Sequence, residues 1–173
     1  HSEKAGLRLW SSSTGQPLDT IHNSSISALI YAPDGHLLAF FPDRKLLSWK
    51  EISQWKLARQ IGNQRSEDPF PDRVLSVTFH PNGQLLATGS GVPSRDGSLS
   101  FWKISDGTRT GVIEKAHLDT ITGLAFSPDG RQIASSSTDR YLKIHTVATL
   151  ELADQLEGHT NHVLDVAWSA DGE

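Results

Sequence analysis

The chain of 173 residues contains no cysteine and no methionine. Without thiols it can form no disulfide, no thiolate metal site and no cysteine nucleophile. It has no run of about 18 apolar residues, which excludes a helical membrane span. Low-complexity tracts and like-charged tails are also missing. Positive charge is in short supply: 16 Lys and Arg stand against 20 Asp and Glu, a net charge of −4. Nucleic acid rewards a basic surface, so this balance argues against it as a partner. What is present is ordinary for a globular chain, with 36% hydrophobic and 21% charged residues.

The order of the residues is less ordinary. Counting from His117, apolar residues fall at Ile121, Leu124 and Phe126, and a turn follows at Asp129-Gly130. The same offsets from His22 give Ile26, Leu29, Tyr31 and Asp34-Gly35. From His159 they give Val163, Val166, Trp168 and Asp171-Gly172, and from Phe70 they give Val74, Val77, Phe79 and Asn82-Gly83. Four copies of one pattern define a repeat array.

A second half-unit repeats as well. Asp43, Asp96 and Asp139 each precede Trp49, Trp102 and His145 by six residues. Apolar pairs two apart, Leu99 with Phe101 and Leu142 with Ile144, lie between them. That alternation has the period of a strand. Residues 4–10 repeat this half-unit with Lys4 in place of the Asp.

In these features the chain resembles the WD40 repeat β-propellers: the His before the first strand, the Pro-Asp-Gly turn, the turn Asp and the Trp of the third strand. The departures are specific. No Trp is followed by Asp, His145 replaces one Trp and Phe70 replaces one His. The resemblance implies an all-β propeller of four-stranded antiparallel blades, whose strands are lettered a to d outward. Residues 4–21 would supply strands c and d of a first blade. Blades would follow over 22–61, 70–114 and 117–157, and 159–173 would begin another. An array with half-blades at both ends is expected to be part of a larger ring, of seven blades by resemblance.

Two insertions fall in the third blade. Ile61 precedes Phe70 by nine residues, where the other copies leave one to four. Gly83 to Asp96 spans 13 residues against nine for Gly130 to Asp139, so Gly91-Val92-Pro93-Ser94 reads as four residues added to the b–c turn. In the family, d–a and b–c loops share one face of the disc, so both additions enlarge one corner. Rigid scaffolds often carry function on such loops.

His117, Ser135 or Ser136, and Asp139 invite a catalytic reading. The chain has no nucleophile elbow to support it. The resemblance instead implies buried structural hydrogen-bond chains drawn from His22, Asp43, Trp49, Asp96, Trp102, His117, Asp139, His145 and His159, because buried polar groups must be paired. In them the imidazole of His145 would donate where an indole normally does. No catalytic residue, metal site or cofactor is expected; the eight histidines lack the Cys or carboxylate spacing of a zinc site. Asn23-Ser24-Ser25 is a bare three-residue glycosylation match.

Partner contacts are implied on the disc face at Arg73, Leu75, Arg95, Thr120, Thr122, Thr138, His162 and Leu164, and at Ser25, Ser27 and Pro42. Arg73, Leu75 and Arg95 combine an apolar residue with two arginines, a composition favoured at interface centres. The expected function is a non-catalytic protein–protein interaction scaffold, intracellular and cytoplasmic, with no membrane, nucleic-acid or small-molecule ligand. The alternative is a sensor or autoinhibitory propeller within a larger signalling protein.

Overall fold

The computed structural model describes residues 7–10, 14–22, 26–31, 36–40, 46–50, 56–61 and 73–172. Ser25, Pro42, Asp43, Phe70 and the 62–69 insertion lie outside these residues, as do the side chains of His22 and Trp49. The described chain is all-β, and every strand pairs antiparallel with its sequence neighbour. Strands β1 (Leu7–Trp10) and β2 (Pro17–His22) form a hairpin. Blade two consists of β3 (Ala28–Tyr31), β4 (His36–Phe40), β5 (Leu46–Lys50) and β6 (Lys56–Ile61). Blade three consists of β7 (Val74–Phe79), β8 (Leu85–Val92), β9 (Asp96–Lys103) and β10 (Arg109–His117). Blade four consists of β11 (Ile121–Phe126), β12 (Gln132–Ser137), β13 (Leu142–Thr146) and β14 (Leu152–Leu156). Among the described residues no helix is long and apolar enough to cross a membrane.

The blades stack through their first strands, β3 against β7 and β7 against β11. Apolar side chains fill each seam. Val74, Phe79, Leu86 and Trp102 are buried with Ala28 and Ile30 of blade two packed on them. Leu99, Phe101, Ile121, Leu124, Phe126 and Ile133 are buried together between blades three and four. Each such side chain contributes roughly 1.5–3 kcal/mol when fully buried. Strand β14 is exposed along its whole length, as the outermost strand of a blade must be.

Three features differ from the sequence expectation. Residues 159–172, expected to open a further strand, form none. They run beside β11 without a backbone ladder, held by a few separate hydrogen bonds. Thr122 Oγ1 donates to the Val163 carbonyl, and the Val163 N–H donates to the Ser137 carbonyl at 3.1 Å. The Trp168 indole N–H donates to the Ala125 carbonyl at 3.0 Å. Second, β10 continues past Ile113 to His117. A register shift there and Lys115 at φ 54° mark a bulge that re-aims the strand end.

Third, the residues added between Gly83 and Asp96 are not loose loop. They lengthen the β8–β9 hairpin, which pairs through Gly91↔Gly97 and Val92↔Asp96. The tip is closed by the Arg95 N–H on the Val92 carbonyl at 3.0 Å. Glycine lets this hairpin lie flat on blade four: a Cβ at Gly97 would meet the Asp119 carbonyl oxygen at 2.3 Å, and one at Gly91 would meet Thr120 Cα at 2.7 Å.

Candidate functional site

His117, at the end of β10, is wholly buried and uses both ring nitrogens. Its Nδ1 donates to Asp139 Oδ2 at 2.9 Å. Its Nε2 accepts from the Ser135 hydroxyl at 2.8 Å. That tautomer follows from the carboxylate, which can only accept. Asp139 also accepts the N–H groups of Leu118 and Tyr141, each at 3.0 Å. Nearby, Lys143 Nζ donates to the Ala116 carbonyl at 2.7 Å. Burial holds the His117 imidazole below its ordinary pKa, only partly offset by Asp139. Burial would raise the Asp139 carboxyl, but the donors around it prevail and hold it below the usual carboxylate range. With the imidazole neutral, the backbone N–H groups of Tyr141 and Leu118 carry that effect.

These distances are those of a Ser–His–Asp triad, but both Ser135 and His117 are 0% exposed. A nucleophile must reach its substrate, and this hydroxyl faces only the interior. The arrangement ties the d–a junction to strands b and c of blade four.

Blade three holds the complementary half. The Trp102 indole N–H donates to Thr88 Oγ1 at 2.9 Å, and that oxygen lies 3.5 Å from the Ser100 carbonyl. Asp96 opens β9 and pairs with Val92 in the ladder, but its carboxylate takes no hydrogen bond among the described residues. His145 corrects an expectation. It is buried, yet its Nδ1 has no partner among the described residues, and it does not donate to Ser135. The imidazole is shorter than the indole it replaces and falls short of the serine. Burial, with the nearby His117 and Lys143, lowers its pKa to about 4. Among the described residues His159 joins no hydrogen-bond chain either; it is exposed on the segment that forms no strand.

The proposed partner-facing residues divide into two groups. Arg73, Arg95 and His162 are exposed, as are Leu75 at 36% and Leu164 at 72%. Thr120, Thr122 and Thr138 are not open contacts. Thr120 is 5% exposed, beneath the lengthened hairpin. The hydroxyl of Thr122 is committed to Val163. Thr138 gives both its N–H and its hydroxyl to the Thr120 carbonyl. Small hydroxyl side chains close to backbone find partners locally and leave the surface.

One structural residue escaped the repeat pattern. His80 stands where blade four has Ser127 in Phe126-Ser127-Pro128-Asp129-Gly130. Its Nδ1 accepts the Asn82 N–H at 3.2 Å, and its Nε2 donates to the Gly130 carbonyl at 3.0 Å. Its ring meets Phe126 edge-on at 5.1 Å. The turn of one blade is thereby fastened to the turn of the next. Aligning the two turns exposes this substitution, although nothing in one repeat says that the side chain reaches its neighbour. On the same side of the blade, a groove of about 600 Å³ is lined by His80, Gln84, Leu85, Lys103, Ile104 and Thr110. Among the described residues no three His, Cys, Asp or Glu side chains are grouped to hold a metal ion.

Comparison with known proteins agrees with this architecture. The WD domain, G-beta repeat (WD40) matches residues 66–103, 107–146 and 150–173. The chain is 28% identical over 178 residues to a periodic tryptophan protein 2 homolog of Schizosaccharomyces pombe, covering 90% of this chain and 20% of that protein. It is also 28% identical to an uncharacterized WD repeat-containing protein of Synechocystis, covering 92% of this chain and 44% of that protein. The chain thus spans less than half the length of these curated relatives. The crystal structure of the RRP9 WD40 repeats superposes with a TM-score of 0.73 at 23% identity, over 84% of this chain and 42% of that one.

Proposed function

Because the chain belongs to the WD40 family, we propose that it is a non-catalytic scaffold that binds a protein partner on the face formed by its d–a and b–c turns. One observation carries the reading. The lengthened β8–β9 hairpin is a rigid ledge: the Ser94 N–H at its tip donates to Asp119 Oδ1 of blade four at 3.0 Å. Exposed Arg95 is presented on that ledge. A pre-ordered surface loses little freedom on association, so its contacts count toward affinity. The burial of His117 and Ser135 supports a structural rather than a chemical role for the only triad-like group among the described residues.

The partner is read as a protein that offers carboxylates to Arg73 and Arg95 and an apolar group to Leu75. A net charge of −4 supports protein over nucleic acid. The test is affinity capture from nuclease-treated extract with the wild-type protein and an Arg73→Glu/Arg95→Glu variant as baits. Proteins retained by the wild type should be lost from the variant, while the two baits melt at the same temperature. Retention of the same proteins by both would place the binding surface elsewhere.

A further inference from the structure

The turn that joins β7 to β8 differs from its counterparts at a chemically reactive position. The other copies place Asp34, Asp129 and Asp171 there, each followed by glycine, whereas this turn has Asn82 followed by Gly83. The chain has four asparagines, and of these only Asn82 precedes a glycine. The side-chain carbonyl of an asparagine can be attacked by the backbone nitrogen of the next residue, and glycine presents that nitrogen with no Cβ in the way. The turn lies on the a–b face, away from the proposed partner contacts.

The local geometry both favours and restrains that attack. Asn82 is exposed, so water reaches it. Its Oδ1 accepts the Gln84 N–H at 2.9 Å. That bond folds the side chain back along the chain past Gly83 and sets a donor on the oxygen where charge gathers when Cγ is attacked. Among the described residues, the side-chain nitrogen of Asn82, which would leave, makes no hydrogen bond. Against this, the Gly83 N–H donates to the His80 carbonyl at 2.8 Å. The His80 ring also holds the turn, accepting the Asn82 N–H and donating to the Gly130 carbonyl of blade four. The Gly83 nitrogen is free to attack only when this fastening opens, and exposed turns held by few hydrogen bonds open at low cost.

We propose that Asn82 is a site of spontaneous covalent conversion, gated by the His80 fastening. The Gly83 nitrogen gives up its proton and bonds to Asn82 Cγ. The Cγ–Nδ2 bond breaks, ammonia leaves with the proton, and a cyclic imide remains. Water then opens the imide at one of its two carbonyls. Opening at Cγ gives aspartate, the residue of the other copies. Opening at the backbone carbonyl gives isoaspartate, in which the main chain runs through the side-chain methylene. Either product adds a negative charge beside the groove of His80 and Lys103. The isoaspartate also lengthens the turn that His80 ties to Gly130 and so loosens a link between blades three and four.

The experiment incubates the intact folded protein in mildly alkaline buffer and maps its peptides by mass spectrometry. Labelling with an isoaspartate methyltransferase separates the two products. Protein unfolded in urea and an Asn82→Gln variant are treated alongside. Conversion at Asn82 is expected in the folded protein, faster as pH rises, slower than in urea and absent from Asn82→Gln. His80→Ser, which installs the residue of blade four, should raise the folded rate about fivefold, the factor set by one lost hydrogen bond of about 1 kcal/mol. A thermal melt establishes that this variant is folded at the incubation temperature, and the comparison of folded with unfolded wild type stands without it. The proposal is overturned if Asn82 converts only in urea, for the turn then protects it. It is also overturned if Asn23, Asn63 or Asn161 converts as fast, or if folded His80→Ser converts no faster than the wild type.

Discussion

Blades three and four are built to one strand order, yet each keeps a different end of one polar chain. Blade three has the indole end, Trp102 on Thr88, and Phe at the position where blade four has His117. Blade four has the other end, Asp139 on His117 on Ser135, and a histidine where blade three has Trp102. Trp102 needs a single partner and fills its seam with apolar surface. His117 needs partners on both nitrogens and gains them only because the bulge at Lys115 carries it to the end of β10. The two blades show that this chain is divisible. Each half can be satisfied alone, but a residue left over at the join, such as His145, is buried with an unmet nitrogen. Leaving a buried polar group unpaired costs on the order of 1–3 kcal/mol.

Three substitutions break or sharpen that comparison. The largest effect is expected from His117→Ala. It empties a fully buried site and strips partners from Asp139 and Ser135, at a cost of about 3 kcal/mol or more. Urea unfolding with the wild type alongside measures it. Trp102→Phe should cost less, about 1–2 kcal/mol, because most of the packing survives and one hydrogen bond is lost. If the tryptophan variant proved the more destabilised, the ranking of the two halves would be reversed.

The smallest effect at neutral pH, and the most diagnostic one in acid, concerns His145→Phe. His117 and His145 both have folded pKa values below the ordinary 6.5, His145 at about 4. Between these values the unfolded chain binds more protons than the folded one, so stability falls as pH drops below about 6.5 and keeps falling toward 4. Asp139 and Asp119 have lowered pKa values, so the stability they contribute is lost only below their ordinary 3.8. Urea midpoints followed from pH 7 to pH 5 should fall for the wild type and fall less steeply for His145→Phe, with the His117 share remaining. Parallel slopes would mean that His145 is protonated in the fold after all.

Much of this was legible in the residues. The offsets from His117 to Phe126 and Gly130 placed β11 and its turn, and the repeat of those offsets placed the matching strands of blade three. His117 and Asp139 were read as members of one hydrogen-bond chain, and the His117 Nδ1–H donates to Asp139 Oδ2 at 2.9 Å. What was less legible has a common cause. Thr120, at a position read as surface, is covered by a hairpin from the preceding blade. Leu118, beside the repeat histidine, is 71% exposed while its N–H is held by Asp139. His80 occupies an ordinary turn position and reaches across to Gly130.

By itself, then, the sequence determined the period and the strand pairing, because strand alternation and turn chemistry act over a few neighbouring residues. Only the tertiary structure decided which turn lies on which. That depends on how one blade is rotated against the next, and on whether Gly91 and Gly97 leave room for the approach. These relations join residues more than 20 positions apart, such as Ser94 and Asp119, and no single repeat encodes them.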